Sequence, residues 1–464
     1  MVESTQVEKV FPHSIYVPYD PGAGWYETEA WNGGGDAEAW EYTGWRDETM
    51  SWKTTCYIHG HLNPTPTFVL RGPGALKLLS DTCVNSFAKF SIGGAKHAVM
   101  CNPSGQIMVH GMVLRLAEQE FITYWLAPWL PYLLQKDKEK YDVEGEDLTG
   151  RVFLFQIAGP RSLEVLEMAT ADDLHDIRFI RHRKSSVDGM EVNVLRIGMA
   201  GTLAYELHGR LEHARPVYRA VLKAGDAHGI RRLGIRAYMM NHTENGFPQS
   251  YYHFPVAWAE DEDFVKYLGQ WGGLAKIGMR LRGSMGTDIQ ARYRNPVELG
   301  WGHLVKFDHE FIGRAALETE VTNPRRKMVT LVWNADDIID VYASQFRPGE
   351  PYRNMDDPNH FGFEVGDKTH SLTLYADQVL KDGRLVGISS GRAYSYYYRE
   401  MLSLSSIDVR YGDIGTEVVV LWGDPGTRQK EIRAKVSRFP YFNENRNETV
   451  DVSKIPCPVA KPPR

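Results

Sequence analysis

The chain has few cysteines and no long apolar run, and these shortages exclude whole classes of protein. Its 464 residues include four cysteines, none of them in a C-x-x-C pair, which excludes a disulfide-rich scaffold and favours the reducing cytoplasm. The N-terminus mixes charges and proline where a secretory signal needs an apolar run. The most apolar stretch, Tyr124 to Leu134, contains Pro128 and Pro131 and is too short to span a bilayer. We expect it to form a bulky wall beside a strand, and we expect no membrane association.

Net charge and common catalytic signatures are also scarce. The chain has 53 basic and 59 acidic residues, a net charge of −6, so nucleic acid is not an expected partner. The segment from Gly387 to Gly391 fits G-x-S-x-G, but the sequence continues as a strand rather than opening a helix. His59 and His61 offer two metal ligands without a third at a recognisable spacing, so we expect no metal. Neither a Walker motif nor a dinucleotide fingerprint is present.

Aromatic residues, by contrast, are plentiful. The chain has 12 Trp, 24 Tyr and 18 Phe, together 12% of its residues. Such a proportion exceeds what cores usually need, and large rings also line pockets for flat apolar ligands. The Trp-rich segment 25–52 favours an irregular conformation that covers another part of the molecule.

The length predicts two or three packed units, and the patterns along the chain indicate how they are arranged. Residues 70–82 (LRGPGALKLLSDT) are typical of a strand that feeds a helix, and residues 153–169 (FLFQIAGPRSLEVLEMA) repeat this strand, Gly-Pro, helix order. Beyond Pro324 several β-rich stretches alternate with turn residues, which predicts a β-rich C-terminal domain over 325–450. Residues 451–464 form a Pro-rich tail.

Several of these segments, taken in order, resemble the glycine-cleavage T-protein (aminomethyltransferase) superfamily. The resemblance rests on LRGPGALKLLSDT, FQIAGPRSLEVLE, GMAGTLAYELHG, LGIRAY, NPVELGWGHLVKFDHEFIGRAAL and GRLVGISSG. Within that superfamily, KMVTLVWNADDIIDVYAS and SSIDVRYGDIGTEVVVLWGDPGTR resemble bacterial tetrahydrofolate-dependent aromatic O-demethylases that act on vanillate, syringate or lignans. The resemblance implies an α+β fold of three domains in a ring around a central folate and substrate channel. The implied units are 1–60 with 140–324, an inserted subdomain 61–139, and the C-terminal barrel domain.

The resemblance also implies a binding site for tetrahydrofolate. Glu206 in AYELHG matches the acidic residue that pairs with the pterin, and a carboxylate suits adjacent N–H donors. Gln156 and Phe247 fall where the demethylases hold the pterin by a hydrogen bond and an aromatic face. Arg236 occupies the arginine position of the LGxR motif, and we expect it in the same site.

Tyr238 follows two residues later, at the position of the catalytic acid in the demethylases. Cleaving an aryl ether expels a phenoxide, and a tyrosine of pKa near 10 is matched to protonate it. Where the aminomethyltransferases carry an acidic pair, this chain has Val109 and His110, so we do not expect aminomethyl transfer. An imidazole at that position suits a general base near neutral pH.

The predicted substrate is a bulky, neutral aromatic. Demethylases of small aromatic acids present an arginine after the strand EFITYWL, whereas this chain has Trp125, Leu126 and then Trp129. A substrate carboxylate buried there would have no partner and would cost several kcal/mol. We expect these three residues, with His61, to contact the substrate.

The leading hypothesis is a folate-dependent O-demethylase, or methylenedioxy-ring opener, that acts on a lignin-derived aromatic or lignan as a monomer or homodimer. The main alternative is a folate-independent formaldehyde lyase that removes a hydroxymethyl carbon from an aromatic dimer, with His110 as base and Tyr238 as acid. A demethylase of a betaine or sulfonium donor and a non-catalytic folate-binding module also remain open at this point.

Overall fold

The computed structural model of the protein describes residues 41–60, 63, 65–269, 278–355 and 371–459. Helices and strands are mixed along this part of the chain, and most strands belong to two open sheets and one closed barrel. The α+β class and the C-terminal barrel are thus confirmed. No helix in these ranges has the length and apolar composition that a membrane span requires.

Single α-helices separate groups of one to three strands over most of the chain before residue 270. The elements are α1 (Trp45–Thr54), β1 (Tyr57–His59), β2 (Thr67–Arg71), α2 (Ala75–Thr82), β3 (Ala95–Cys101), β4 (Ile107–Ala117), β5 (Glu120–Tyr124), α3 (Trp129–Lys136), β6 (Glu144–Asp147), β7 (Val152–Ala158), α4 (Ser162–Thr170), β8 (His182–Val187), β9 (Met190–Leu195), β10 (Ala204–Arg210), α5 (Ala214–Gly225), β11 (Arg231–Arg232), α6 (Ile235–Asn245) and α7 (Glu262–Leu268).

The later part of the chain is dominated by strands. Its elements are β12 (Gly278–Arg282), α8 (Arg314–Thr322), β13 (Arg326–Trp333), α9 (Ala335–Ser344), β14 (Ser371–Tyr375), β15 (Asp377–Lys381), β16 (Arg384–Ser395), β17 (Glu400–Asp408), β18 (Glu417–Trp422) and β19 (Lys430–Ser437).

The described strands form four sheets, of which the smallest is the parallel pair of β12 and β14. The first has the order β11-β1-β7-β10-β9-β8, and the second has the order β3-β4-β5-β2-β6. The barrel closes in the order β13-β17-β16-β15-β18-β19 around its own apolar core. A central apolar cluster contains residues of both open sheets and of α6, among them Tyr57, Tyr124 and Tyr238. Side chains of the two sheets therefore meet in one buried region.

The repeated strand, Gly-Pro, helix pattern has the structure that its sequence predicts. It forms β2 followed by α2, and β7 followed by α4. In the second copy Gly159 has φ of 135°, and a Cβ there would lie 2.4 Å from the carbonyl oxygen of Thr55. The glycine is required because the chain passes directly over this carbonyl.

The stretch Tyr124 to Leu134, predicted to form a bulky wall beside a strand, begins at the last residue of β5 and continues into a helix. Helix α3 begins at Trp129 with Pro128 as N-cap, and Pro131 is its third residue. A proline in the first turn removes no internal hydrogen bond, since that N–H has no partner four residues earlier. The apolar residues of α3 are buried in the core of the second sheet.

The Trp-rich segment was predicted to be irregular, and its C-terminal end is instead α1. Residues 25–40 lie outside the described part of the chain. Trp52 of α1 is fully buried in the central cluster. Glu48 accepts hydrogen bonds from the backbone N–H of Gly234 at 2.7 Å and of Tyr42 at 2.6 Å. Because Gly234 is the N-cap of α6, α1 fixes the start of the helix that carries Tyr238.

Candidate active site

A cavity of about 250 Å³ lies beside the central apolar cluster. Strand β4 supplies His110 and Gly111 to its wall, β10 supplies Glu206, and α6 supplies Tyr238 and His242. The lining is mainly apolar, with these few polar groups converging on one space. Such a combination is typical of a site for a flat, largely apolar small molecule.

The structure brings together most of the residues that the sequence analysis selected. Tyr238, His110, Glu206, Phe247 and Trp125 all line the cavity. Gln156 stands behind Glu206, since its Nε2 donates to Glu206 Oε1 at 3.4 Å.

Three other selected residues lie elsewhere. Leu126 and Trp129 are buried in the core of the second sheet, where Trp129 packs edge-on against Phe264 at 4.8 Å. Arg236 pairs with Glu41 and lies in a separate cavity between the start of the chain's described part and the barrel. These three therefore do not line the cavity that contains Tyr238 and Glu206. His61 lies outside the described residues.

Glu206 is held by a relay of buried polar groups. Its Oε2 accepts from His208 Nε2 at 3.0 Å. Behind it, the Tyr57 hydroxyl donates to Gln156 Oε1 at 2.9 Å and accepts from Asn241 Nδ2 at 3.2 Å. Two protein donors thus occupy two of the roughly four lone-pair positions of the carboxylate. The remaining positions suit two adjacent N–H donors of a flat heterocycle.

Tyr238 sits in the first turn of α6 and is almost fully buried. Its N–H donates to the carbonyl of Gly234 at 3.0 Å, so its position depends on the helix start fixed by Glu48. The phenol ring lies 4.8 Å from the ring of His59 and 5.1 Å from that of His242. The hydroxyl group is therefore presented in an aromatic, water-poor environment.

A cluster of three histidines, His97, His110 and His242, borders the same cavity. His97 Nε2 and His110 Nδ1 are 3.2 Å apart, and one of them carries the proton that the other accepts. Burial lowers the pKa of His97 and of His242 to about 4. Burial, with the neighbouring His97 and His242, lowers the pKa of His110 well below its usual value. All three rings are neutral at pH 7.

His242 has a defined tautomer. Its Nδ1 lies 3.1 Å from the carbonyl oxygen of Phe247, and a carbonyl only accepts, so Nδ1 carries the proton. Its Nε2 then has a free lone pair and finds no hydrogen-bond partner among the described residues. His110 Nε2 is likewise buried without one. Both nitrogens are suited to hydrogen-bond a ligand oxygen in the cavity.

His97 and His242 were not predicted as site residues, although the sequence contains signals for both. In the β3–β4 hairpin His97 pairs with Met112 and His110 with Val99, so the two histidines are diagonal neighbours on one face. His242 follows Tyr238 by four residues, which places both on one helix face. Trp301, whose ring lies 4.8 Å from those of His97 and His110, gave no local signal.

Trp125 adopts a backbone conformation that is rare outside glycine. Its φ is 65°, and such strain persists where the surroundings enforce it, often at functional sites. The Trp125 N–H donates to the carbonyl of Pro66 at 2.8 Å. Across the strand, a Cβ on Gly111 would lie 1.9 Å from the carbonyl oxygen of Tyr124. Gly111 thus permits the close approach that turns Trp125 toward the cavity.

The lining residues in the described part of the chain include no lysine or arginine, and their one carboxylate is Glu206. Because the three histidines are neutral at pH 7, the described lining residues carry no positive charge. It is suited to a neutral aromatic ligand.

Comparisons with known proteins agree with this chemistry. Residues 21–253 match the family model of the GCVT N-terminal domain. The chain is 45% identical to the sesamin methylene transferase of a Sinomonas species over 90% of its length and 93% of that protein. It is 32% identical to the syringate O-demethylase of a Sphingobium species, over 86% of this chain and 89% of that protein.

A solved structure shows the same fold. The glycine cleavage system aminomethyltransferase T from Bartonella henselae superposes with a TM-score of 0.59 and 16% identity, over 88% of this chain and 92% of that one. The overall architecture implied by the sequence resemblance is confirmed at the level of the fold.

Proposed function

The chain belongs to the GCVT N-terminal domain family, and from this premise we propose that it transfers a one-carbon unit from an aryl ether to tetrahydrofolate. The proposed substrate is a bulky, neutral, lignin-derived aromatic or lignan. One observation carries the proposal: Tyr238, Glu206 and three neutral imidazoles face a single aromatic cavity whose described lining has no cationic side chain.

The donor set fits tetrahydrofolate. Glu206, supported by Gln156 and His208, has acceptor positions left for the adjacent N–H groups of a pterin. Phe247 adds an aromatic face on the same cavity. When bound, tetrahydrofolate supplies a nucleophilic nitrogen that accepts the carbon. The protein's own contribution is to orient both partners and to exclude water.

Tyr238 is the proposed acid. The departing aryl oxygen leaves as a phenolate, and the Tyr238 hydroxyl delivers a proton to it. The leaving phenolate and the tyrosinate that Tyr238 becomes are close in basicity, so the transfer is nearly balanced in energy. Tyr238 would regain its proton from the folate N–H that gives it up on accepting the carbon. His242 Nε2, one helical turn away on α6, then accepts a hydrogen bond from the new phenol.

Methyl transfer and methylene transfer both use this arrangement. The relative at 45% identity is a methylene transferase and the one at 32% is an O-demethylase, which favours a methylenedioxy substrate as a second candidate. Opening such a ring frees two neighbouring aryl oxygens, and removing a methyl frees one. A catechol product therefore needs two polar partners, and Tyr238 with His242 would provide them.

A formaldehyde lyase is less well supported. It needs a base strong enough to deprotonate an alcohol, and burial lowers the pKa of His110 well below its usual value. The two relatives named above are a methylene transferase and an O-demethylase.

The proposed location is the cytoplasm. All four cysteines are free thiols, which is the usual state of cysteines in a reducing compartment.

The test is a product analysis. Purified protein is incubated with a methoxylated lignan and a methylenedioxy lignan, with and without tetrahydrofolate, and mass spectrometry follows the phenol, the folate products and free formaldehyde. We expect turnover that requires folate and a one-carbon folate in equal amount to the phenol. Folate-independent release of formaldehyde would refute the proposal and support the lyase.

A further inference from the structure

A second group of chemically reactive side chains lies where the end of the chain meets α4. Glu167 is on α4, Asp173 and His175 follow that helix, and Cys457 is in the C-terminal segment. Each offers one ligand atom, and these four atoms all lie within 4.8 Å of one another. We refer to these four residues as the tail cluster.

The hydrogen bonds of His175 direct one ring nitrogen into the tail cluster. Its Nε2 lies 3.0 Å from the carbonyl oxygen of Ile455, which only accepts, so Nε2 carries a proton. Its Nδ1 faces Glu167 Oε1 at 2.7 Å and Asp173 Oδ1 at 3.2 Å. A neutral ring would turn a lone pair toward two carboxylates. This contact requires a cation, either a second proton on Nδ1 or a metal ion.

Glu167 supplies an independent observation. Its side chain is fully buried, and Oε1 already accepts from the N–H of Leu174 at 2.8 Å. The other oxygen, Oε2, is buried without a nitrogen or oxygen donor in the described ranges of the chain, and the Cys457 thiol is a weak donor beside this carboxylate. A buried carboxylate with so weak a partner is costly, and a bound cation removes that cost.

We propose that the tail cluster binds a thiophilic divalent metal ion, with Zn²⁺ as the reference metal. One nitrogen, one sulfur and two carboxylate oxygens form a donor set that Zn²⁺ accepts in tetrahedral geometry. The N–H of His175 bonded to a backbone carbonyl is the support that metal-bound histidines usually have. On binding, the Cys457 thiol and any proton on His175 Nδ1 are released to solvent.

A metal bound there would hold the C-terminal segment against helices α4 and α5. Ile455 and Val452 pack on the core that contains α4 and α5, and the metal would add a polar anchor next to this apolar contact. This inference does not depend on the proposed reaction.

Cys457 makes the site easy to follow, since Cys56, Cys83 and Cys101 are buried in the fold. The native, metal-stripped protein is treated with an alkylating reagent with and without ZnCl₂, and modification of Cys457 is read by mass spectrometry. We expect one equivalent of zinc to remain bound after gel filtration. Alkylation of Cys457 should be at least about 10-fold slower with zinc, because a thiolate bound to the metal is shielded from the reagent. The scale is that of metal affinity, which changes 10- to 100-fold when even an outer partner of the site is lost.

Two variants and a second metal complete the experiment. Cys457→Ser and Asp173→Asn should each lower zinc affinity at least about 10-fold, whereas His303→Gln, at an exposed histidine outside the tail cluster, should not. With Co²⁺ the wild-type protein should show thiolate-to-metal absorption that Cys457→Ser lacks. Equal alkylation rates with and without zinc, or affinity unchanged in both variants, would overturn the proposal.

Discussion

Replacing Glu206 by glutamine gives a direct test of the proposed folate site, because its effect can be worked out from the hydrogen bonds. Gln156 Nε2 and His208 Nε2 donate to the two oxygens of the carboxylate at 3.4 and 3.0 Å. In Glu206→Gln one of these oxygens becomes an NH₂ group, which faces an existing donor. The negative charge that strengthens hydrogen bonds from a pterin is lost as well.

The expected magnitude follows from these losses. A hydrogen bond to a charged group contributes roughly 1.5–3 kcal/mol, and two ligand contacts are weakened but not removed. We expect a loss of about 3 kcal/mol in binding, which corresponds to roughly 100-fold in Kd.

Tryptophan fluorescence titration under anaerobic conditions measures the Kd of tetrahydrofolate for both proteins. Glu191→Gln is the matched control, because Glu191 is an exposed glutamate on β9, in the same sheet. Wild-type affinity in Glu206→Gln would refute the assignment of the carboxylate. Equal weakening in the control would show that the effect is not specific to the site.

Three further predictions concern catalysis, packing and pH. Tyr238→Phe should lower kcat at least about 100-fold in the product assay while the Kd for folate stays within a factor of about two, since general acids contribute 10²–10⁴-fold; retained turnover would return the residue to a packing role. Gly111→Ala should destabilise the fold by about 1–3 kcal/mol or more in thermal unfolding, because its Cβ overlaps the carbonyl of Tyr124, and an unchanged midpoint would contradict the close approach. For His242, a pKa lowered from 6.5 to about 4 means that the unfolded chain binds its proton first. Stability should therefore fall as pH drops from about 6.5 to 4, by about 3 kcal/mol for this group. His242→Gln should show a smaller fall, and an identical pH profile would refute the assignment.

Local patterns predicted the elements that carry the site but not every contact in it. Alternation and Gly-Pro punctuation are set by neighbouring residues, so β7, α4 and the barrel strands could be predicted from the sequence. The helix α3 could not, because Pro131 suggests a break unless the position of the first turn is known.

The selected residues that do not line the cavity have a related explanation. Trp125, Leu126 and Trp129 form one aromatic and apolar run in the sequence. The left-handed φ at Trp125 turns the backbone, so the side chain of Trp125 points away from those of the other two. Trp125 lines the cavity, whereas Leu126 and Trp129 enter the core. Arg236 and Tyr238 are two residues apart on α6, and positions two apart do not share a helix face.

The charge balance of the cavity bears directly on substrate choice. Burial lowers the pKa of His97 and His242 to about 4, so both rings are neutral at pH 7. The same burial would disfavour a substrate carboxylate. The described lining offers no cation to pair with such a group, and Glu206 would repel it. An aromatic ether should therefore be preferred over its carboxylated analogue mainly through KM, because the unpaired charge is desolvated on binding, before the ether bond reacts.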